Sequence, residues 1–261
     1  TCTYIVGEGK VAVIDPGPED ETHIDALMRA LKGETISAIL VTHTHRDHSP
    51  GARLLQAHTR APIIGCATHI PIADPPSGRL DASHDLDHAP DEVLGDGALF
   101  KGDGFRLEAI ATPGHASNHL AFALREENGL FSGDHVMAWS TSIVAPPDGN
   151  MRDYMASLEK VAARGEQIYW PGHGNPLLEP QRFVRLLAMH RRQRENAILE
   201  RLAQGDRTIP EIVQVIYKGV DERLHRAAGL SVLAHLEDLV ARELISSDQA
   251  SATENAHYHL R

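Results

Sequence analysis

The sequence predicts an α/β layered domain followed by a smaller helical module, and three observations indicate this. Signals for short apolar strands and for amphipathic helices alternate from the first residues to about residue 180. From about residue 181 the composition changes to helix formers. The chain has 261 residues, enough for one substantial α/β domain and a small second one. We therefore expect domains at residues 1–180 and 181–261.

The first domain shows strand and helix signals in quick succession. The stretch from Tyr4 to Ile14, interrupted by Gly7-Glu8-Gly9-Lys10, is typical of a β-hairpin. Apolar residues at helical spacing predict a helix from Asp20 to Leu31, and the wholly apolar run Ala38–Val41 predicts a buried strand. Further strands are expected at 62–64, 105–110, 120–124, 129–131 and 168–170, and a helix at 151–163.

The stretch from Asp74 to Gly104 is rich in Pro, Asp, Gly and His, which predicts a long surface excursion. Within it His84 and His88 are spaced four residues apart and could mimic a helical pair of metal ligands. Neighbouring acidic residues and Pro90 favour a solvated acidic loop instead.

The C-terminal module is expected to have the outline of a winged helix, with about three helices and a final hairpin. Thr208-Ile209-Pro210-Glu211 has capping-box spacing, so a helix should run from there to about Tyr217. A longer helix then carries apolar residues from Val232 to Val240 on one face. Residues 244–246 and 257–260 could pair as a short hairpin.

Charge, apolar runs and cysteines each exclude a class of protein. The formal charge of −11 argues against a protein that coats nucleic acid. The sequence has no run of about 18 apolar residues, and its first residues are typical of a strand rather than a signal peptide. We therefore expect no membrane association and a cytoplasmic location. Cys2 and Cys66 lack the spacing of a thiolate metal site or a disulfide framework.

Six consecutive residues directly after the buried strand hold four side chains that bind metals: His43-Thr44-His45-Arg46-Asp47-His48. Open α/β folds place their sites at the carboxyl ends of such strands. Imidazole nitrogens and carboxylate oxygens are good zinc ligands, and a hydrolytic site keeps one coordination position open for water. Polar loop residues would not require this density, so the segment predicts a catalytic metal site.

Three further candidate ligands each follow an apolar strand and a glycine: His115, Asp134 and His173. Glycine lets the backbone turn tightly and bring a short side chain to a shared point. Each of the three is a weak signal alone, but together with the first cluster they predict a metal-dependent hydrolase. Neither a serine nor a cysteine nucleophile is needed, and no G-x-S-x-G motif is present.

This set of residues resembles the pattern of the metallo-β-lactamase superfamily over about the first 180 residues. The resemblance implies a four-layer αββα sandwich that binds two divalent metal ions, with zinc expected. One ion would be held by His43, His45 and His115, the other by Asp47, His48 and His173, with Asp134 bridging them. Asp15 corresponds to the family's first motif and would orient a histidine ligand.

Two neighbouring metals would acidify a bridging water and polarise the substrate. Asp134 would bridge the metals and Asp47 could orient the hydroxide, so both are candidate catalytic residues. The sequence offers no clear general acid for the leaving group. His119 and His135 lie near the ligands in sequence and are expected to support them rather than bind metal.

The carboxylate ligands argue against antibiotic hydrolysis, because the best-known zinc β-lactamases use a cysteine at the second site. The set resembles instead the glyoxalase II thioesterases and the metal-dependent ribonucleases. The segments Thr1–Gly7 and Thr42–Gly51, with the winged-helix-like tail, resemble the β-lactamase-like subfamily that includes a mammalian mitochondrial single-strand endoribonuclease. Hydrolysis of single-stranded RNA is therefore one expectation, and hydrolysis of a small thioester, ester or lactone is the alternative. A non-enzymatic nucleic-acid binder is the contrasting class.

Arginines concentrated between residues 182 and 201 could hold phosphates, although an ordinary solvated helix face explains them as well. They are Arg182, Arg185, Arg191, Arg192, Arg194 and Arg201. The last long helix instead offers Glu237, Asp238 and Glu243, where a base-reading helix would carry Arg, Asn or Gln. We therefore expect no sequence-specific DNA binding.

Overall fold

Two β-sheets lie at the centre of the protein in a computed structural model that describes residues 1–71 and 84–261. Each sheet has five strands within these ranges. The first sheet has the order β1 (Tyr4–Val6), β2 (Lys10–Ile14), β3 (Thr35–Val41), β4 (Ile63–Gly65) and β5 (Glu92–Val93). The second sheet contains β6 (Leu99–Lys101), β7 (Arg106–Ala111), β8 (Leu120–Leu124), β9 (Gly129–Gly133) and β10 (Ile168–Pro171), each beside its neighbour in the chain.

Strand direction brings several strand ends to one edge of each sheet. β1 and β2 form the predicted antiparallel hairpin, whereas β2, β3, β4 and β5 run parallel. In the second sheet β7, β8 and β9 are antiparallel, and β9 and β10 are parallel. The carboxyl ends of β2 and β3 therefore lie side by side, and so do those of β9 and β10. All of these ends lead into the candidate site residues.

In the described part of the chain, four helices accompany the sheets: α1 (Glu21–Ala30), α2 (Gly51–Thr59), α3 (Met151–Ala162) and α4 (Pro180–Ala203). Side chains alternate across β8, because Phe122 packs in the core shared with α1 and α2, while Ala121 and Ala123 pack in the core of α3 and α4. Both cores are buried and apolar, which stabilises a helix–sheet–sheet–helix arrangement. The predicted αββα sandwich is confirmed.

Most predicted elements of the first domain are confirmed within a few residues, including α1, whose amino end is capped by Asp20. The Asp20 carboxylate accepts hydrogen bonds from the backbone of Thr22 and His23 at 2.9 and 3.4 Å. Helix α2 and strands β5 and β6 were not predicted. The two strands are short, and neither carries an alternating apolar pattern.

Residues 74–83 of the predicted surface excursion from Asp74 to Gly104 lie outside the described ranges, and most of residues 86–104 are exposed as predicted, although they include β5 and β6. His84, Asp85 and His88 are buried, so the predicted solvated acidic loop is wrong. Asp85 accepts hydrogen bonds from Arg53 Nη1 at 2.7 Å and from Ser49 Oγ at 2.9 Å. These partners are more than 30 residues away in sequence, and composition does not reveal them.

The C-terminal module contains α5 (Ile209–Ile216), a short 3-10 helix (Glu222–Leu224), α6 (His225–Ala241) and the antiparallel strands β11 (Ile245–Ser247) and β12 (Tyr258–Leu260). The predicted capping box between Thr208 and Glu211 is present. Helix α4 contributes Val184 and Leu187 to the core of the second sheet, but Ile198 and Leu202 to the core of this module. In the described ranges, none of the helices is long and apolar enough to cross a membrane. The division at residue 180 stays a prediction.

Candidate metal centre

Three histidines converge at the carboxyl ends of β3 and β7 and form what we call site A: His43, His45 and His115. His43 Nε2 lies 3.0 Å from His45 Nδ1, and His115 Nε2 lies 3.0 Å from the same atom. His43 is fully buried, and His115 is nearly so. The three nitrogens are close enough to hold one metal ion together.

A second group of ligands, which we call site B, contains Asp47, His48 and His173. His173 Nε2 lies 3.0 Å from Asp47 Oδ2, and His48 Nε2 lies 3.4 Å from the same oxygen. His48 is fully buried, whereas the Asp47 side chain is 48% exposed. Site B therefore has one side that faces solvent.

The carboxylate of Asp134 lies between the two sites. Its Oδ2 is 3.6 Å from His115 Nε2 of site A and 3.4 Å from His173 Nε2 of site B, while Oδ1 is 3.4 Å from His48 Nε2. Asp134 can thus contact ions in both sites. The structure brings all seven predicted ligands to one place.

The side chains fit divalent metal ions, as two observations indicate. His48 Nε2 and Asp134 Oδ1 are buried and have no hydrogen-bond partner among residues 1–71 and 84–261, although such atoms normally have one. Neighbouring ligand atoms lie 3.0–3.6 Å apart, and ligands about 2.1 Å from one tetrahedral ion would be separated by about 3.4 Å. The nitrogen and oxygen donors suit zinc, manganese or iron.

Asp15 contacts His48 from the side away from the candidate metals. Its Oδ2 lies 2.9 Å from His48 Nδ1, and its oxygens accept hydrogen bonds from the backbone N–H and the hydroxyl of Thr42 at 2.8 and 2.7 Å. Thr42 Oγ1 in turn lies 2.9 Å from His43 Nδ1. This network directs the Nε2 atoms of His43 and His48 toward the site. Thr42 was not singled out from the sequence, where only its position before His43 marks it.

His119 supports Asp134 rather than a metal. Its Nε2 accepts a hydrogen bond from the backbone N–H of Asp134 at 3.1 Å, so Nδ1 carries the proton that faces Thr112 Oγ1 at 2.8 Å. Burial holds the pKa of His119 well below its usual range. Burial also lowers the pKa of His135 to about 3. Both rings are therefore neutral near pH 7 and offer no proton to a leaving group.

Glycines beside two ligands make the approach of the strands possible. Gly133 has a φ of +51°, and a side chain there would meet His119 Nε2. A side chain on Gly172 would meet the carboxylate of Asp134 and the ring of His48. These glycines therefore do more than permit tight turns: because they have no side chain, they also leave room for the ligands.

Electrostatic coupling divides the histidines into two groups. Burial and neighbouring histidines hold the pKa of His43 well below its usual range, and burial lowers the pKa of His45 to about 2. Hydrogen bonds to Asp134 and Asp47 raise the pKa of His173 to about 9. Burial opposes protonation of His48, but Asp134 and Asp15 still raise its pKa well above the usual range. Without metal, His43 and His45 of site A are therefore neutral near pH 7, whereas His48 and His173 of site B hold protons.

Of the six arginines that could have formed a phosphate-binding face, Arg182, Arg185 and Arg192 are exposed, and the other three are buried or half-buried against protein groups. Arg191 is buried, contacts the Ser142 carbonyl and lies over the Tyr154 ring. Arg194 lies over the Tyr217 ring, with 4.2 Å between its guanidinium carbon and the ring centre. Ion pairs engage three others: Arg182 with Glu179, Arg192 with Glu159 and Arg201 with Asp206.

The comparison with known proteins agrees with this geometry. The family model for the metallo-beta-lactamase superfamily matches residues 1–173, which include all seven candidate ligands. The chain belongs to the metallo-β-lactamase superfamily. A model of the beta-lactamase associated winged helix domain matches residues 208–253, so the predicted winged helix is confirmed.

Relatives and solved structures extend this similarity. The chain is 31% identical to a beta-lactamase-like protein 2 homolog from Drosophila melanogaster, covering 92% of this chain and 82% of that protein. It is 33% identical to the thioesterase pkgB of Emericella nidulans, with 78% of this chain and 54% of that protein covered. An atrochrysone carboxyl ACP thioesterase from Aspergillus fumigatus is 28% identical, with 83% and 68% covered.

A metallo-beta-lactamase family protein from Thermus thermophilus has the same fold, with a TM-score of 0.79, 22% identity and coverage of 99% of this chain and 93% of that chain. A protein solved in a di-iron-bound form has a TM-score of 0.53 and 26% identity, with 69% and 90% covered. Family membership and the thioesterase relatives support the prediction of a hydrolase.

Proposed function

We propose that the protein hydrolyses thioesters with a dinuclear metal centre formed by sites A and B and bridged by Asp134. The position of Asp134 carries the proposal, because its two oxygens face ligands of both sites within 3.6 Å. We infer that zinc occupies both sites, since the six ligands other than Asp134 are five histidines and one carboxylate. Iron suits the same donors.

Two divalent ions bound here would acidify a water molecule and polarise the carbonyl group of the substrate. Asp134 would fix the spacing of the two sites, and Asp15 would hold His48 in the required orientation. The half-exposed Asp47 faces solvent, so its carboxylate can orient the attacking water toward the carbonyl.

The leaving group favours a thioester over a phosphodiester. Neither His119 nor His135 offers a proton, because burial keeps both rings neutral and the Nε2 of His119 accepts from the Asp134 backbone. A thiol has a pKa of about 8.5, so a thiolate leaves without protonation. A sugar hydroxyl is a far weaker acid and would need the proton that these residues do not supply.

Two exposed apolar side chains lie beside the ligands and favour an apolar acyl group. Trp139 is 71% exposed and lies against Gly174, directly after His173, while Ile143 is 58% exposed and accepts a hydrogen bond from His115 through its carbonyl. A ligand that covers large exposed apolar side chains is bound more tightly, because apolar surface is removed from water. The thioesterase names of two relatives support the same substrate class.

Single-stranded RNA, the other substrate expected from the sequence, has less support. Five of the six arginines that could hold phosphates are engaged by carboxylates, carbonyls or aromatic rings. Phosphate contacts normally supply most of the affinity for a nucleic acid. We therefore place RNA hydrolysis second.

A side-by-side activity assay tests the proposal. The metal-loaded protein is offered an acyl thioester, a lactone and single-stranded RNA, and the same assays are run on Asp134→Asn and on Asp25→Asn, an exposed control on α1. We expect thioester turnover that falls at least 100-fold in Asp134→Asn and persists in Asp25→Asn. RNA cleavage that depends on Asp134, without thioester turnover, would refute the proposal.

A further inference from the structure

A loop that provides no metal ligand contacts His115 of site A directly and is linked to His45 through His84. We call it the Asp148 loop, residues 143–149. The carbonyl of Ile143 accepts a hydrogen bond from His115 Nδ1 at 2.6 Å. At the other end of the loop, Asp148 accepts hydrogen bonds from the backbone and hydroxyl of Ser117 at 3.1 and 2.5 Å. Ser117 lies two residues after His115, so the loop holds that ligand on both sides.

The same carboxylate reaches His45 through a second histidine. Asp148 Oδ2 lies 3.4 Å from His84 Nε2, and the ring of His84 lies against that of His45 with 4.6 Å between their centres. A backbone bridge also pairs His45 with His84. On its far side His84 stacks on His69, at 3.7 Å between ring centres. His84 is thus fixed between two rings and one carboxylate.

The side chains of His69, His84 and Asp148 also lie close enough to suggest a third metal ion. The orientation of the rings argues against this. Imidazole binds metal through a lone pair in the plane of its ring, and these two rings are parallel within 7°. Their lone pairs therefore run alongside each other and do not converge on one ion. Parallel rings can instead present two nitrogens to one carboxylate, and here His69 Nδ1 and His84 Nε2 both face the carboxylate of Asp148.

We propose that the Asp148 loop is a clamp that binds no metal, fixes His45 and His115, and thereby sets the metal affinity of site A independently of site B. Asp148 is a positioning residue in this arrangement. Site B has its own buried carboxylate, because Asp15 holds His48 at 2.9 Å. Asp15 also reaches His43 of site A through Thr42, whereas the described contacts of Asp148 lead to ligands of site A. The inference rests on the proposed metal centre and not on the proposed substrate.

Metal titration of the full chain tests the clamp with one site present at a time. In the His173→Gln background site A keeps all of its ligands, and in the His115→Gln background site B does. Asp148→Asn is added to each, and affinity is measured for cobalt by its absorption and for zinc by competition with a chelator. We expect a loss of about 10- to 100-fold at site A and less than about threefold at site B. Asp25→Asn is the control and should change neither.

Ser117→Ala removes one support of Asp148 and should weaken site A in the same direction, and it replaces Asp148→Asn if that variant does not fold. Equal losses at both sites, or no loss at site A, would overturn the clamp. So would a wild-type protein that binds three equivalents and loses one on Asp148→Asn. A protein that binds two equivalents but cleaves no thioester would overturn only the proposed function.

Discussion

Gly172 and Asp134 lie so close together that the site has no room for a side chain at position 172. A Cβ atom there would collide with Oδ1 of Asp134 and would lie 2.8 Å from the His48 ring. The Gly172 N–H also donates to the Gly133 carbonyl at 2.8 Å, which fixes β10 beside the turn that carries Asp134. The bridging carboxylate therefore depends on a glycine that binds nothing itself.

Substituting Gly172→Ala should displace Asp134 and lower both metal affinity and hydrolysis by at least about tenfold, because a shift of a fraction of an ångström disturbs both sites. Gly165→Ala is the matched control, since a Cβ there meets no atom within 4 Å. Metal titration and steady-state kinetics measure the effect. Full metal affinity in Gly172→Ala would show that the turn can adapt.

Zinc loading of the metal-free protein should release roughly two protons from histidines near pH 7.5, because ligation requires neutral imidazoles, in addition to any proton lost by the metal-acidified water. The pKa of His173 is raised to about 9 by Asp134 and Asp47, and the pKa of His48 is also raised, so both are protonated before metal binds. The affinity of site B should accordingly increase as the pH rises toward 9. Calorimetry in two buffers of different ionisation enthalpy measures the protons, and His173→Gln should release one fewer. Equal heats in both buffers would contradict the prediction.

Removing the exposed ring in Trp139→Ala should raise KM about tenfold for thioesters with large apolar acyl groups, because less apolar surface is buried on binding. An acetyl thioester is too short to benefit and should be cleaved as before. Leu224→Ala removes another exposed apolar side chain in the C-terminal module and serves as the control. An equal effect of Trp139→Ala on both substrates would argue against an acyl contact.

Glu237 on α6 should make the protein less stable as the pH rises from about 4.5 to 7. Burial raises the pKa of Glu237 to about 7, so the folded protein binds more protons than the unfolded chain in this range. The favourable contribution of the protonated Glu237 carboxyl to the free energy of unfolding is complete below pH 4.5 and is lost as the pH rises through 7. Glu237→Gln should therefore match the wild type at pH 4.5 and be about 1–2 kcal/mol more stable at pH 8, after allowing for partial exposure.

Urea unfolding at both pH values measures this difference, and Glu222→Gln, an exposed carboxylate in the same module, should show none. A stability gain for Glu237→Gln that is equal at the two pH values would have another origin, such as a gain in helix propensity.

The metal ligands could be predicted from the sequence because residue types that bind metals stand directly after predicted strands. His43, His45, Asp47 and His48 follow β3 directly, so their density and the end of a buried strand mark them together. His115, Asp134 and His173 lie within four residues of the ends of β7, β9 and β10 and are each preceded by glycine. Metal ligands must be particular residue types, and this restriction makes them visible in a single sequence.

Asp15 and His119 were expected to support the ligands and do so. The other supports could not be predicted, because carbonyls, hydroxyls and rings of ordinary residues provide them. Asp148 and Ser117 are common surface residue types, and nothing in the sequence relates them to His84 or His45. The burial of His84 and Asp85 was missed for the same reason, since an acidic segment becomes buried only when an arginine such as Arg53 meets it in the folded chain.

By itself the sequence determined an α/β layered domain and the outline of a winged helix, because apolar periodicity and capping residues act over a few neighbouring positions. The αββα arrangement was implied by the resemblance to the superfamily. It also supplied the ligand types. Only the tertiary structure decided the distances at which Asp134 lies between the two groups of ligands, and that Asp148 supports site A through Ser117 and His84. Those contacts join residues far apart in the chain, and their distances follow from how the two sheets pack against each other.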